Sequence, residues 1–129
     1  MTSRTSKSIQ TVSLITRPGQ DQAIALAKEF VDRYPDCDFL AQTGVARAIG
    51  CQGLSDEAMC ARADVMIVLG GDGTLIYCAR LLRGRSIPVL GINMGSLGFM
   101  TEIPVEKAFA TFELLRQGNA LIESRMKLS

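Results

Sequence analysis

"VLGGDGT", residues 68–74, is the stretch that decides the predicted fold. It begins inside residues 65–69, a continuously apolar run that is too short for an independent helix and suits a strand buried on both faces. Gly70, Gly71 and Gly73 then surround one carboxylate, Asp72, and the apolar residues after Thr74 follow helical spacing. The stretch therefore predicts a buried strand, a glycine-rich turn and a helix in succession.

The rest of the chain repeats this alternation of strands and helices. Apolar or β-branched runs predict further strands at residues 9–16, 36–42 and 87–93. The prediction for residues 36–42 is weaker than the other two. Helical spacing, caps and stop residues predict helices at residues 20–34, 55–62, 74–83 and 104–117. Residues 43–53 carry weak signals and are interpreted as a loop with a helical turn. The alternation predicts a three-layer α/β domain with a mostly parallel sheet over residues 9–129, after a disordered leader at residues 1–8.

The composition excludes several classes of protein. Lys and Arg number 14 against 13 Asp and Glu, so the sequence has no basic block that would indicate a nucleic-acid partner. Apolar stretches fall short of the roughly 20 residues that cross a bilayer, and the polar N-terminal segment has no signal-peptide core. We predict a soluble cytoplasmic protein without a membrane partner.

Cysteine and histidine usage limits the chemistry. The 4 cysteines lack C-x-x-C spacing and the chain has no histidine, which disfavours a structural zinc site. We predict reduced, packed thiols rather than disulfides. Without histidine, the chain cannot assemble a Ser-His-Asp or Cys-His mechanism, so acid and base roles fall to carboxylates, Lys, Tyr or Cys.

The glycine-rich turn is typical of a phosphate site. In parallel sheets, ligands collect at the carboxyl ends of strands. Gly70, Gly71 and Gly73 permit positive φ and close approach of backbone N–H groups, and Thr74 adds a hydroxyl donor at a helix N-terminus, which favours an anion. Neither the Walker A pattern nor the dinucleotide G-x-G-x-x-G pattern is present at this turn.

Asp72 is unexpected in this setting, because a carboxylate repels phosphate. Two roles explain it: a ligand of Mg²⁺ that bridges phosphates, or an acceptor for the proton of a hydroxyl that attacks a terminal phosphoryl group. Spacing alone does not separate them. A third interpretation is a tight Asp-Gly turn without chemistry, although helical spacing after the turn removes the second strand of a hairpin.

A second glycine-bearing loop follows the next predicted strand, in "GINMGSLGFM", residues 91–100. Gly95 and Gly98 flank small and apolar residues, and Phe99 could place a ring against a planar base. The alternative is that Phe99 and Met100 only return the chain to the core.

The two motifs together resemble the N-terminal domain of NAD kinases. The pairing of residues 70–74 with residues 93–99, at the ends of successive strands, carries the resemblance, which extends over the chain after the leader. Diacylglycerol and sphingosine kinases and phosphofructokinases share a similar G-G-D-G turn, but the lipid kinases normally continue with a Pro-x-Gly-Thr-x-Asn-type loop. A lipid kinase and a non-catalytic nucleotide-binding module remain the alternatives.

The resemblance implies transfer of the γ-phosphoryl group of ATP, or of polyphosphate in some members, to the 2′-hydroxyl of the adenosine ribose of NAD, giving NADP. Asp72 matches the proton acceptor of the family. The nucleotide-binding residues implied with it are Gly70, Gly71, Gly73, Thr74, Leu97, Gly98 and Phe99. The glycines and Thr74 would meet phosphates, with Gly73 also against the dinucleotide, and residues 97–99 would pack on the NAD adenosine.

The resemblance also implies Mg²⁺, to which no residue is assigned, and a homodimer or homotetramer. Met100 departs from the family, where Leu is common, in a substitution that conserves volume. The chain is expected to lack the β-rich C-terminal domain, which carries an Asn-Glu or Asn-Asp motif and most remaining NAD contacts. We therefore predict that the chain is inactive alone.

Overall fold

The computed structural model describes residues 9–17, 19–94 and 103–117, with the backbone alone at Asp72. The described strands are β1 Thr11–Thr16, β2 Asp38–Gln42, β3 Gln52–Leu54, β4 Val65–Gly70, β5 Val89–Asn93 and β6 Ile103–Pro104. The described helices are α1 Asp21–Arg33, α2 Thr43–Ile49, α3 Asp56–Arg62, α4 Asp72–Leu81 and α5 Ala108–Arg116, the last preceded by a 3₁₀ turn at Val105–Lys107.

The strands form one parallel sheet in the order β3-β2-β1-β4-β5-β6. The chain builds outward from β1 to β3, returns to place β4 beside β1, and builds outward again to β6. This doubly wound order has a switch point between β1 and β4, where helices leave toward opposite faces and open a crevice at the carboxyl ends of the strands. The predicted parallel α/β architecture is confirmed.

Two apolar clusters cover the two faces of the sheet, as a three-layer domain requires. One cluster joins α1, α2 and α5 to one face, with Phe30 and Phe112 fully buried. The other joins α3 and α4 to the opposite face through residues such as Met59, Leu75 and Cys78. Every residue of β4 is buried, in agreement with its continuously apolar sequence.

The predicted N-cap of α3 is confirmed. Ser55 caps α3, and its Oγ accepts a hydrogen bond from the Ala58 N–H at 3.2 Å. Cys37, Cys51, Cys60 and Cys78 are free thiols. None of the described helices combines the length and hydropathy that crossing a membrane requires.

Three predicted boundaries were wrong. Residues 43–53 are not mainly loop, because α2 buries Val45 and Ile49 and ends at Gly50 with φ of 89°, after which β3 pairs with β2. Helix α4 begins at Asp72 rather than Thr74, because Gly71 is its N-cap. Pro104 does not open the last helix; it pairs with Asn93 in the sheet, and α5 begins at Ala108.

Candidate functional site

The glycine-rich turn is a direct connection from β4 to α4. Gly70 ends the strand, Gly71 has extended backbone angles (φ −128°, ψ −159°), and Asp72 is the first residue of the helix. The Leu75 N–H donates to the Gly71 carbonyl at 3.1 Å, which closes the first turn of α4. Because Gly71 has no side chain, the N-cap residue cannot satisfy the amides of that turn, which leaves them suited to an anion.

Gly70 and Gly73 of the turn are closely packed. The described glycines with positive φ are Gly19, Gly50 and Gly84, so the turn does not use the positive φ that glycine permits. A Cβ on Gly70 would lie 2.7 Å from Thr74 Oγ1, and a Cβ on Gly73 would lie 3.1 Å from Arg17 Nη2. The absence of side chains there lets Thr74 and Arg17 approach the backbone of the turn.

The second motif begins beside the first. Gly70 lies opposite Asn93 in the register of β4 and β5, and the Met94 N–H donates to the Gly70 carbonyl at 3.0 Å. The ends of these two strands therefore lie side by side in the sheet. Residues 95–100, with the predicted Leu97, Gly98 and Phe99, lie outside the described residues.

A pocket of about 280 Å³ occupies the switch point of the sheet. It lies at the carboxyl ends of β1 and β2 and against the first two turns of α4, and its lining comprises Ile15, Thr16, Arg17, Gln42, Gly73, Thr74 and Tyr77. Gly73 and Thr74 of the predicted site therefore share one pocket with four polar residues that the sequence prediction did not assign. The doubly wound fold places ligand sites in this position.

Asp56 accepts hydrogen bonds from two of the side chains that line this pocket. The Gln42 Nε2 donates to Asp56 Oδ1 at 3.4 Å, and the Tyr77 hydroxyl donates to the Asp56 carboxylate. The hydrogen bond to Asp56 and burial raise the pKa of Tyr77. The amide of Gln42 is thereby oriented, because only its nitrogen can donate to a carboxylate.

Two side-chain oxygens at the pocket are buried and have no hydrogen-bond partner among the described residues: Thr16 Oγ1 and Gln42 Oε1. Thr16 is 2% exposed. An unsatisfied buried polar group destabilises a folded protein by about 1–3 kcal/mol, so such groups call for an explanation.

Sequence reasoning missed Thr16, Arg17, Gln42 and Tyr77. A signal existed for three of them, because Thr16 ends β1, Arg17 directly follows it and Gln42 ends β2. The carboxyl ends of parallel strands share one edge. Tyr77 had none, since one exposed aromatic on a helix is ordinary in sequence.

The described side chains do not supply a metal site of their own. Within that part of the chain, no group of three or more His, Cys, Asp or Glu residues converges. Asp56 is engaged by Gln42 and Tyr77. No described residue is therefore assigned to Mg²⁺.

Fold and site together define a doubly wound α/β domain with a ligand pocket at its switch point. Residues 51–120 match the family described as the ATP-NAD kinase N-terminal domain. The chain belongs to this NAD kinase family. The family assignment agrees with the resemblance carried by the two glycine motifs and not with a lipid kinase.

Individual NAD kinases and one solved structure are also similar to this chain. The chain is 44% identical over 90 residues to the NAD kinase of Geobacter metallireducens, covering 70% of this chain and 32% of the relative. It is 35% identical over 124 residues to the NAD kinase of Nitratidesulfovibrio vulgaris, covering 93% of this chain and 39% of the relative. The structure of yeast NADH kinase complexed with NADH superposes with a TM-score of 0.74 at 19% identity, covering 87% of this chain and 37% of that one, which supports the fold. The chain spans about a third of the length of curated relatives that it matches.

Proposed function

We propose that this chain is the phosphoryl-transfer domain of an NAD kinase, which phosphorylates the 2′-hydroxyl of the NAD adenosine ribose with ATP or polyphosphate to give NADP. One observation carries the proposal: in a chain of the NAD kinase family, the G-G-D-G-T turn joins β4 to α4 at the switch point of the sheet. Free helix amides and one acid thus share a position where ligands bind.

In this proposal Asp72 accepts the proton of the 2′-hydroxyl. The hydroxyl oxygen forms a bond to the γ-phosphorus, the bond to the bridging oxygen breaks, and ADP leaves when ATP is the donor. A carboxylate of ordinary pKa, about 4, is a modest base, but phosphoryl transfer depends mainly on positioning and charge stabilisation. Mg²⁺ bound with the donor would neutralise charge on the phosphates.

The remaining residues of the predicted site hold the substrates. Gly70, Gly71, Gly73 and Thr74 would contact phosphates through backbone N–H groups and the Thr74 hydroxyl. Leu97, Gly98 and Phe99 would pack on the NAD adenosine. The register of β4 and β5 supports this arrangement, since the loop that carries these three residues leaves the sheet next to Gly70.

We further propose that catalysis requires segments that the relatives possess beyond the length matched here, so the 129-residue chain alone should not turn over NAD. The active enzyme is proposed to be a cytoplasmic homodimer or homotetramer. Turnover by the isolated chain at a rate typical of enzymes would contradict the first statement.

Substitution of Asp72 in the enzyme of native length tests the function. We expect Asp72→Asn to lower kcat for NADP formation from NAD and ATP by several orders of magnitude while NAD binding changes little. Asp32→Asn, on the exposed side of α1, removes the same charge away from the site and should retain activity. Asp72 also places negative charge at the N-terminus of α4, where it can stabilise the helix. The thermal unfolding of both variants should therefore be measured together with their kinetics.

The outcomes separate the alternatives. Nucleotide binding without NADP formation by the unmodified enzyme would indicate a non-catalytic module. Phosphorylation of diacylglycerol or sphingosine in place of NAD would indicate a lipid kinase.

A further inference from the structure

Four exposed arginines lie at the end of the sheet where the strands begin, away from the pocket. Arg62 is in the last turn of α3 and Arg80 in the last turn of α4, and Arg83 and Arg85 follow α4 directly. Helices α3 and α4 lead into β4 and β5, so both end beside the amino ends of the strands. We call these four residues the arginine cluster.

The packing of α3 against α4 brings the arginine cluster together. The Cys60 thiol of α3 donates to the Leu81 carbonyl of α4 at 3.6 Å, so the last turns of the two helices are in contact. The Arg83 N–H donates to the Arg80 carbonyl at 3.3 Å. Burial raises the pKa of the Cys60 thiol and the positive charge of Arg85 lowers it, so Arg85 also lies near α3.

The charge of the arginine cluster is not neutralised within the described part of the chain. The ion pairs there involve two other arginines, Arg33 and Arg116. The dipole of a helix favours a cation in its last turn, which accounts for Arg62 and Arg80 but not for the two arginines beyond α4. Like charges at this spacing repel one another. An anionic partner would relieve that repulsion.

The surroundings of the arginine cluster disfavour a nucleic acid. Asp64 lies two residues after Arg62, and Asp36 and Asp38 lie at the start of β2, at the same end of the sheet. A nucleic acid presents a continuous row of phosphates, which would extend from the arginines onto these carboxylates. The ends of α3 and α4 also present carbonyl groups, whereas backbone phosphate sites use N–H groups.

Two of the neighbouring carboxylates already have partners. Asp64 Oδ2 accepts two backbone N–H groups at the start of β1, both at 2.9 Å. Asp36 pairs with Arg116 at 2.6 Å. A second copy of the chain would therefore have to break these contacts to offer the same carboxylates to the arginine cluster.

We infer that the arginine cluster is a docking surface for a carboxylate-rich segment of another protein. Guanidinium groups bind carboxylates through paired hydrogen bonds, and the limited extent of the basic surface suits a short acidic segment. The inference does not depend on the proposed kinase function, because the arginine cluster and the pocket lie at opposite ends of α4.

Fluorescence anisotropy with fluorescein-labelled hexaglutamate tests the inference on the enzyme of native length at low ionic strength. We expect binding that salt weakens. Arg80→Gln combined with Arg83→Gln should raise the Kd about tenfold or more, because two charged hydrogen-bond donors are lost. Lys28→Gln combined with Arg47→Gln removes two exposed charges from α1 and α2, on the opposite face, and should change the Kd by less than about twofold. Thermal unfolding shows whether each variant is folded.

Several results would overturn the inference. Absence of hexaglutamate binding, or equal weakening by the two double variants, would show that the arginine cluster is not a specific surface. Tighter binding of an oligothymidylate of equal charge would indicate a nucleic-acid partner. Sedimentation velocity of the unliganded enzyme identifies the remaining alternative: dissociation by the Arg80 and Arg83 substitutions, but not by the control pair, would indicate a second copy of the chain.

Discussion

Thr74 packs directly over Gly70, so that a Cβ on Gly70 would lie 2.7 Å from Thr74 Oγ1 and 3.0 Å from Thr74 Cβ. The last residue of β4 therefore has no room for a side chain. This contact fixes how α4 leaves the sheet and hence where its first turn, which begins at Asp72, is held.

Alanine substitutions in the turn should separate packing from conformational freedom. We expect Gly70→Ala to destabilise the protein by about 1–3 kcal/mol, because Thr74 must move away. Gly71→Ala should change stability by less than about 0.5 kcal/mol, since no atom of the other described residues lies within 4 Å of its Cβ position and its φ is negative. Chemical denaturation measures both, and equal losses would contradict the packing explanation.

Two buried hydroxyls on β1 should respond in opposite directions. Ser13 Oγ donates to the Met59 carbonyl at 3.1 Å, whereas Thr16 Oγ1 has no partner in the part of the chain that the structure describes. We expect Ser13→Ala to destabilise the unliganded protein by about 1 kcal/mol and Thr16→Val to stabilise it by a similar amount. The midpoints of denaturant unfolding measure these changes in stability, provided that the free energy of unfolding has the same slope with denaturant in each variant. Destabilisation by Thr16→Val would show that its hydroxyl is already satisfied.

The hydroxyl of Tyr34 should lose its proton at a higher pH than an ordinary tyrosine does. Burial, its hydrogen bond to Glu113 Oε2 at 2.9 Å and the charge of Glu113 raise its pKa from 10.0 to about 12. The folded state therefore retains this proton more strongly than the unfolded state. The raised pKa of Tyr34 contributes to the free energy of unfolding. This contribution is fully present below pH 10 and is lost as the pH rises through about 12.

Ultraviolet absorbance of the phenolate measures this titration. The chain has 2 tyrosines, so a Tyr77→Phe background reports Tyr34 alone. Adding Glu113→Gln should lower the midpoint, because the charge that opposes phenolate formation is gone. A midpoint that does not move would leave burial as the whole cause.

The thiols should react slowly in the native protein. Burial raises the pKa of Cys51 to about 11 and that of Cys78 to about 12, and the thiolate is the reactive form. Cys51 is partly exposed and Cys78 is buried, so iodoacetamide should label Cys51 first and Cys78 only after unfolding. Peptide mass spectrometry with and without guanidinium chloride measures the order. Native labelling of Cys78 as fast as Cys51 would contradict it.

Local sequence patterns determined much of the fold. The apolar runs of β4 and β5 and the helical spacing of α1 predict those elements because the period of burial is encoded by neighbouring residues. Likewise, Ser55 predicts the start of α3, since a cap acts within one helical turn. The two glycine motifs were enough to indicate the family.

Tertiary structure decided the elements and contacts whose partners are distant in sequence. Strand β3 has two exposed residues and no alternation of apolar and polar side chains, and it is a strand because β2 offers it a hydrogen-bonding edge. The pocket at the switch point likewise collects Arg17, Gln42 and Tyr77 from three separate segments. Strand order and register bring such residues together, and these depend on packing over the whole sheet, which no local window of sequence contains.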